Sequence, residues 1–489
     1  MQNFSHKLVL ALIIALIAVP VAAQDRVALP DMGSTSTRVL TAEQERTFAR
    51  DFERYMRAHN LLVEDPLIRP YFEDMGFRLV AQSSRPNAEF HFFVIRDPSI
   101  NAFASVAGVI GLHAGLILMA HDESEVAGVV AHEIAHVTQD HLARGLENQQ
   151  QVSLPTMLAT MGLAVAAAAA GAGEASQAVL VSGMGLAAQF QINHTRQAEA
   201  EADRVGIGLL SHAGYDPKGM TRFFERLNIH SRAMGHGPPE YLRTHPLTVN
   251  RIAEARSRAE QITVRDPRDS DEFHFVQSRL RVMLSEHPGH TAEWFRLRLE
   301  NEERPAEAMR YGLVLSLIQG RRLDAAEQAI AELLEADPKR QIFQLLLAEL
   351  RHAQNRREEA LDILAELYRH YPGNRAITTQ YANTLMHDNN PERARVAMEI
   401  LRRHLRRYPG DLQMTELLAR AADRIGDDVR AAEALADSYY MRGGIKEAIE
   451  QLERVTERED LDYYQRSRIN ARLAELRSEH MRMARRDRY

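Results

Sequence analysis

The sequence predicts an α+β domain, mostly helical with a small sheet, followed by an all-α solenoid of short repeats. Three observations predict it. His91 to Ile95 is a brief aromatic and β-branched run among otherwise helical patterns. The string His132-Glu133-Ile134-Ala135-His136 lies on a helix with a clear start signal. Beyond Asp266 come charged, Leu- and Ala-rich helices whose prolines Pro338, Pro372 and Pro409 recur at spacings of 34 and 37.

Length and composition bound the function. At roughly 150 residues per domain, 489 residues predict about three units, each able to bury a core. With 45% hydrophobic and 26% charged residues, bulk disorder is excluded. The absence of cysteine removes disulfides, thiolate nucleophiles and zinc sites built on sulfur, so any metal must be held by His, Asp or Glu. Sixty basic against 67 acidic residues, a net charge of −7, are too balanced for capture of nucleic acid.

At the start of the chain, Lys7 precedes the apolar run Leu8 to Val19, and Val21-Ala22-Ala23 precedes Gln24. That order predicts a cleavable secretory signal over residues 1–23. About 12 to 15 apolar residues fall short of the roughly 20 that span a bilayer, so no transmembrane anchor is expected. Peripheral membrane contact stays open. Export without cysteine suits a bacterial periplasm.

From Arg38 to Val80 the pattern is helical, His91 to Ile95 is a strand, and Ala102 to Met119, with Gly108, Gly111 and Gly115, predicts one or two further strands and a hairpin. In Asp122-Glu123-Ser124-Glu125 an acceptor stands three residues before Glu, predicting a helix start, with the helix running to about Arg144. The uncharged stretch Asn148 to Gly173 reads as a packed or lid segment rather than a membrane hairpin, because Pro155 and three glycines interrupt it. These features place the first domain at 24–265 and the repeats at 266–489. In the repeats, Ala326 and Ala360 each stand twelve residues before a proline, and Gln319-Gly320-Arg321 and Gln354-Asn355-Arg356 mark internal turns. This is close to the 34-residue tetratricopeptide period, whose stacked units make a concave surface for an extended or protein ligand.

Residues four apart on a helix share a face, so His132 and His136 can bind one zinc ion. Glu133 lies about 100° round the helix, within reach of a water at the metal without being a ligand, which suits a general base for peptide hydrolysis. A third protein ligand is still needed, either a carboxylate or another His. Glu199 and Asp203 stand at i, i+4 on a later helix, so Glu199 could bind zinc while Asp203 orients a ligand histidine. Glu201 is expected to point elsewhere. His141, about 180° from His132 on an ideal helix, and His194 are expected not to be ligands. The strand from Ala102 to Leu118 reads as either an interior strand or an edge that pairs with an extended substrate.

At these residues the chain resembles the zinc metallopeptidases that include HtpX-like proteases and the CAAX prenyl endopeptidases. Their pattern pairs His-Glu-x-x-His with a later Glu-x-x-Ala-Asp, here Glu199 to Asp203. The resemblance spans roughly Thr41 to Glu260, and includes Asn101 to Ala104, Thr244-His245-Pro246-Leu247 and Arg251-Ile252. It implies a zincin-type metallopeptidase domain with one zinc ion per chain. The layout of signal, peptidase and repeats is similar to that of periplasmic members. By that resemblance the clients would be unfolded or misassembled exported proteins, outer-membrane β-barrels among them. The repeats would then bind clients or the outer-membrane β-barrel assembly machinery.

His245 carries three readings. By the resemblance it binds zinc where water must sit, closing a latent enzyme; otherwise it donates a hydrogen bond to the oxyanion, or is structural before Pro246. The rival to an enzyme is a repeat-based chaperone or assembly adaptor whose metal site is structural or permanently closed by His245. Glu133 speaks against it, because a purely structural site needs no base.

Overall fold

The computed structural model describes residues 41–486, apart from 106, 143, 145–195, 235–237, 269 and 302–304. The predicted signal, the uncharged stretch 148–173 and His194 lie outside the described residues. Elements are numbered below among the described residues.

Helix α1 (Ala42–Ala58) opens with a capping box in which Thr41 and Gln44 satisfy each other's backbone N–H groups. Helix α2 (Ile68–Val80) buries Phe72, Met75 and Leu79 against the sheet. Strands β1 (His91–Ile95), β2 (Ala102–Ala104) and β3 (Val109–His113) form a sheet of order β1-β3-β2. β1 pairs β3 in parallel, with His91 opposite Val109. β2 pairs β3 antiparallel, with Ala102 opposite Leu112. β3 is therefore interior and β2 lies at the edge. Gly108 makes the β2–β3 turn possible: its φ is +68°, and a Cβ there would stand 2.3 Å from the Glu89 carbonyl oxygen.

The expected strand character from Ala102 as far as Leu118 and Met119 does not persist. After His113 the chain coils into helix α3 (Ala114–Met119), started as the Gly115 N–H donates to the Asp97 carbonyl. A six-residue apolar run has no period that separates buried strand from buried helix. Helix α4 (Glu123–Thr138) is capped by Asp122, whose side chain accepts from the Glu125 N–H. It is buried on all sides and forms the centre of the first core. It ends at Thr138 rather than near Arg144, because Asp140 takes φ +53°.

Helices α5 (Arg196–His212) and α6 (Lys218–Met234) pack on α4, followed by α7 (Glu240–Thr244) and α8 (Val249–Glu260). Helix α9 (Asp271–Met283) serves two cores at once. Phe273, Val276 and Leu280 join the peptidase-side core, while Phe275 and Val282 join the core of the following helices. At about 1.5–3 kcal/mol for each fully buried large side chain, this helix ties the two cores firmly together.

Ten further helices follow α10 (Pro288–Glu300) in hairpin pairs: α11 (Ala306–Gln319) with α12 (Leu323–Ala336), α13 (Gln341–Ala353) with α14 (Arg357–His370), α15 (Arg375–Leu385) with α16 (Pro391–Arg407), α17 (Leu412–Arg424) with α18 (Asp428–Met441), and α19 (Ile445–Thr456) with α20 (Tyr463–Arg486). Pro338, Pro372 and Pro409 follow α12, α14 and α16, and the alanines twelve residues before them, Ala326, Ala360 and Ala397, are fully buried. α16 has 17 residues against 14 in α12 and α14, which accounts for the spacing of 37 after 34. The repeats fold back onto the first core. Arg279 pairs with Asp65 at 2.8 Å, and Arg54 pairs with Glu479 of the last helix at 2.9 Å.

Candidate metal centre

The site is built where α4 meets α5. His132 and His136 lie one turn apart on α4, and the face of α5 that meets them carries Glu199, Asp203 and Gly206. Gly206 permits the approach, since a Cβ there would stand 3.1 Å from the His132 backbone nitrogen. His245 caps the end of α7, its N–H donating to the Tyr241 carbonyl. All four residues are buried: His132 and Glu199 are 0% exposed, His136 2% and His245 3%.

Their donor atoms lie within 4.8 Å of one another. His132 Nε2 stands 3.0 Å from His136 Nε2, 3.4 Å from His245 Nδ1 and 3.5 Å from Glu199 Oε2. Glu199 Oε1 stands 3.4 Å from His136 Nε2 and 3.1 Å from His245 Nδ1. A tetrahedron with metal–ligand bonds of about 2.05 Å has edges of about 3.3 Å. With Oε1 as the Glu199 donor, four of the six edges run from 3.0 to 3.4 Å, close to a four-coordinate site in which nitrogen and carboxylate donors converge, and the residues fit a divalent metal ion.

Electrostatics keeps the set poised. Burial alone would raise the Glu199 carboxyl, but His245, His132 and His136 around it hold it well below the usual carboxylate range. Burial likewise opposes charge on His132, yet Asp203 and Glu199 carry it up to about 10 without a metal. Asp203 Oδ1 lies 3.1 Å from His132 Nδ1, close but bent away from good hydrogen-bond geometry. Glu133 differs from its neighbours. Neither of its oxygens accepts a hydrogen bond, His245 Nε2 standing 3.5 Å from Oε1, and burial raises its carboxyl. A buried carboxylate without donors is a strong base.

Several partners escaped the sequence reading. Because α4 stops at Thr138 and Asp140 takes a left-handed conformation, His141 does not face away from the pair. Its Nδ1 lies 3.0 Å from His136 Nδ1, and its Nε2 lies 3.1 Å from Glu201 Oε2. Glu201 therefore borders the site through His141 instead of pointing elsewhere. Arg251 grips both oxygens of Asp203 and also reaches Glu199. Tyr241 stacks on His245 with ring centroids 4.7 Å apart, its hydroxyl buried without a partner. Only the spacing of Tyr241 and His245 on one turn signalled that contact.

No helix among the described residues is long and apolar enough to cross a membrane. Comparison with known proteins agrees with the geometry. Residues 66–259 match the model of peptidase family M48, and residues 311–375 match a tetratricopeptide repeat. The chain is 32% identical over 477 residues to the beta-barrel assembly-enhancing protease of Escherichia coli, covering 97% of this chain and 96% of that protein. It is 32% identical over 479 residues to a putative beta-barrel assembly-enhancing protease of Vibrio cholerae, covering 97% and 98%. It is also 30% identical over 175 residues to a mitochondrial metalloendopeptidase of Schizosaccharomyces pombe, covering 36% of this chain and 48% of that one. Yeast Tom70 aligns at 13% identity with a TM-score of 0.26 over 73% of this chain and 85% of that one, a likeness too slight to bear on the fold. The chain belongs to peptidase family M48: it is a metalloendopeptidase whose peptidase domain is followed by tetratricopeptide repeats.

Proposed function

We propose that the chain is a periplasmic zinc endopeptidase that degrades misassembled exported proteins, outer-membrane β-barrel proteins among them. In this reading a peptidase unit over 24–265 cuts, and a repeat unit over 266–489 docks clients or the β-barrel assembly machinery. The names of the similar proteins, which refer to β-barrel assembly, support the client class.

His132, His136 and Glu199 would hold one zinc ion, with Asp203 fixing the ring of His132. When bound, the ion supplies the Lewis acidity that polarises a peptide carbonyl and acidifies a water. Glu133 would take a proton from the attacking water on a carboxylate oxygen and pass it to the leaving amine. His245, 3.4 Å from His132 Nε2 and 3.1 Å from Glu199 Oε1, occupies the fourth corner and closes the site until its loop moves.

The observation that carries the reading is Glu133: a buried carboxylate that accepts no hydrogen bond, beside a cluster of four donors. Glu133→Gln should keep the metal and abolish cleavage of an unfolded client, and persistent cleavage defeats the mechanism. His245→Ala should raise activity as a gate and lower it as an oxyanion donor. The closed fourth corner favours one further reading, a chaperone or adaptor whose site never opens. That reading predicts Glu133→Gln and wild type alike in every assay.

A further inference from the structure

Arg251 lies at the start of helix α8, buried to 6% exposure, and one guanidinium serves three masters. Nε and Nη2 donate to Asp203 Oδ2 and Oδ1 at 2.8 and 2.9 Å, a two-toothed fork. Nη1 stands 2.7 Å from Glu199 Oε2 and donates to the Pro246 carbonyl at 2.8 Å. Asp203 lies 3.1 Å from the His132 ring, Glu199 is one of the four clustered donors, and Pro246 is the residue after His245.

We propose that Arg251 is a positioning residue that couples the state of the His245 loop to the metal-binding carboxylate. The inference rests on the metal-site reading above and adds to it how the closed loop and the ligand set are held in register. Nη1 approaches Oε2 as an ion pair without hydrogen-bond alignment, while Oε1 of Glu199 faces His136 and His245. The same Nη1 holds the backbone one residue beyond His245, where the proline ring fixes φ. Lifting the loop removes the Pro246 acceptor and leaves Nη1 to Glu199 alone, so opening the gate and re-aiming the carboxylate are one event. The loop has a second anchor at the sheet, where the Tyr241 N–H donates to the Ile100 carbonyl. That bond leaves Arg251 as the tether at the metal end.

A lysine keeps the charge but cannot divide itself among a carboxylate fork, a second carboxylate and a carbonyl. Full-length Arg251→Lys should therefore bind one metal ion per chain but release it to a chelator about 10- to 100-fold faster. It should change the visible spectrum of the cobalt-substituted protein. Turnover of an unfolded client per bound metal should rise in the otherwise native chain and stay level when Arg251→Lys is added to His245→Ala. Unchanged chelator release overturns the proposal, and so does an equal rise in both backgrounds, since that effect does not pass through His245. If Arg251→Lys does not fold by its thermal transition, Arg251→Gln, which keeps two donors, decides by the same readings. The function reading fails separately: cleavage that survives Glu133→Gln sinks that reading, while metal release and the cobalt spectrum still judge Arg251.

Discussion

Replacing Gly206 with alanine tests whether the closeness of α5 to α4 sets the metal geometry. The new Cβ would stand 2.8 Å from the Met220 methyl and 3.1 Å from the His132 backbone nitrogen. The methyl ends a flexible side chain and can swing aside. The backbone of α4, packed on all sides, cannot, so α5 must withdraw by a few tenths of an ångström. Alanine in a helix interior gains about 0.5–1 kcal/mol over glycine, and overpacking costs about 1–3 kcal/mol. The net expectation is a loss of up to about 2.5 kcal/mol. Glu199 lies two turns from Gly206 on the same face, so the withdrawal lengthens the 3.5 Å separation between the Glu199 carboxylate and His132. Metal affinity should fall on the order of tenfold. Gly208 supplies the control, because nothing lies within 4 Å of its built Cβ. Gly208→Ala should gain about 0.5–1 kcal/mol and leave metal binding alone. Chelator competition and thermal unfolding measure both. If Gly206→Ala matches Gly208→Ala in both assays, helix closeness does not govern the site.

Two further outcomes concern the repeats. Arg54 and Glu479 join the first helix to the last with side chains 4% and 8% exposed, and Tyr440 also donates to Glu479 at 2.8 Å. Glu479→Ala strands a buried guanidinium and should cost about 3 kcal/mol in urea unfolding, the low end of the usual range because Asp51 stays 3.6 Å away. Arg54→Met with Glu479→Leu should recover most of that loss, and a double variant as unstable as the single would show that the charge pair is not the source. Burial pushes Asp411 up, but His404 and Arg375 hold its carboxyl well below the usual range. Since the folded value is depressed, the stability is fully present above the unfolded value of about 3.9 and is lost as pH falls toward the folded value. Asp411→Asn should flatten stability against pH on the acid side, and an unchanged acid limb would remove Asp411 as the cause.

Where the sequence could be read, the information was local. The Asp122 cap and the four-residue step from His132 to His136 depend only on one helix, and the proline spacings depend only on repeat length. The reading faltered where the outcome was decided by neighbours. Ala114 to Met119 is apolar throughout, and it coils because the Asp97 carbonyl captures the Gly115 N–H. Just past the change of composition at Asp266, α9 offers Phe273 and Leu280 to one core and Phe275 and Val282 to the other. Its charges at intervening positions conceal two apolar stripes, which only the packing of both neighbours reveals.

The site divides in the same way. Glu199 and Asp203 could be paired on paper because both sit on one face of one helix. Nothing in their spacing pointed to Arg251, 48 residues on from Asp203, or to its shared hold on Pro246. His141 was misplaced for a sharper reason. The half-revolution holds only while α4 continues, and a single left-handed residue, Asp140, turns that position into a neighbour of His136. Aspartate visits that conformation at low cost because its short side chain can hydrogen-bond locally. A helical wheel therefore holds only as far as the helix does, and in this protein the break comes two residues after His136, where the ring of His141 is brought against the ligand set.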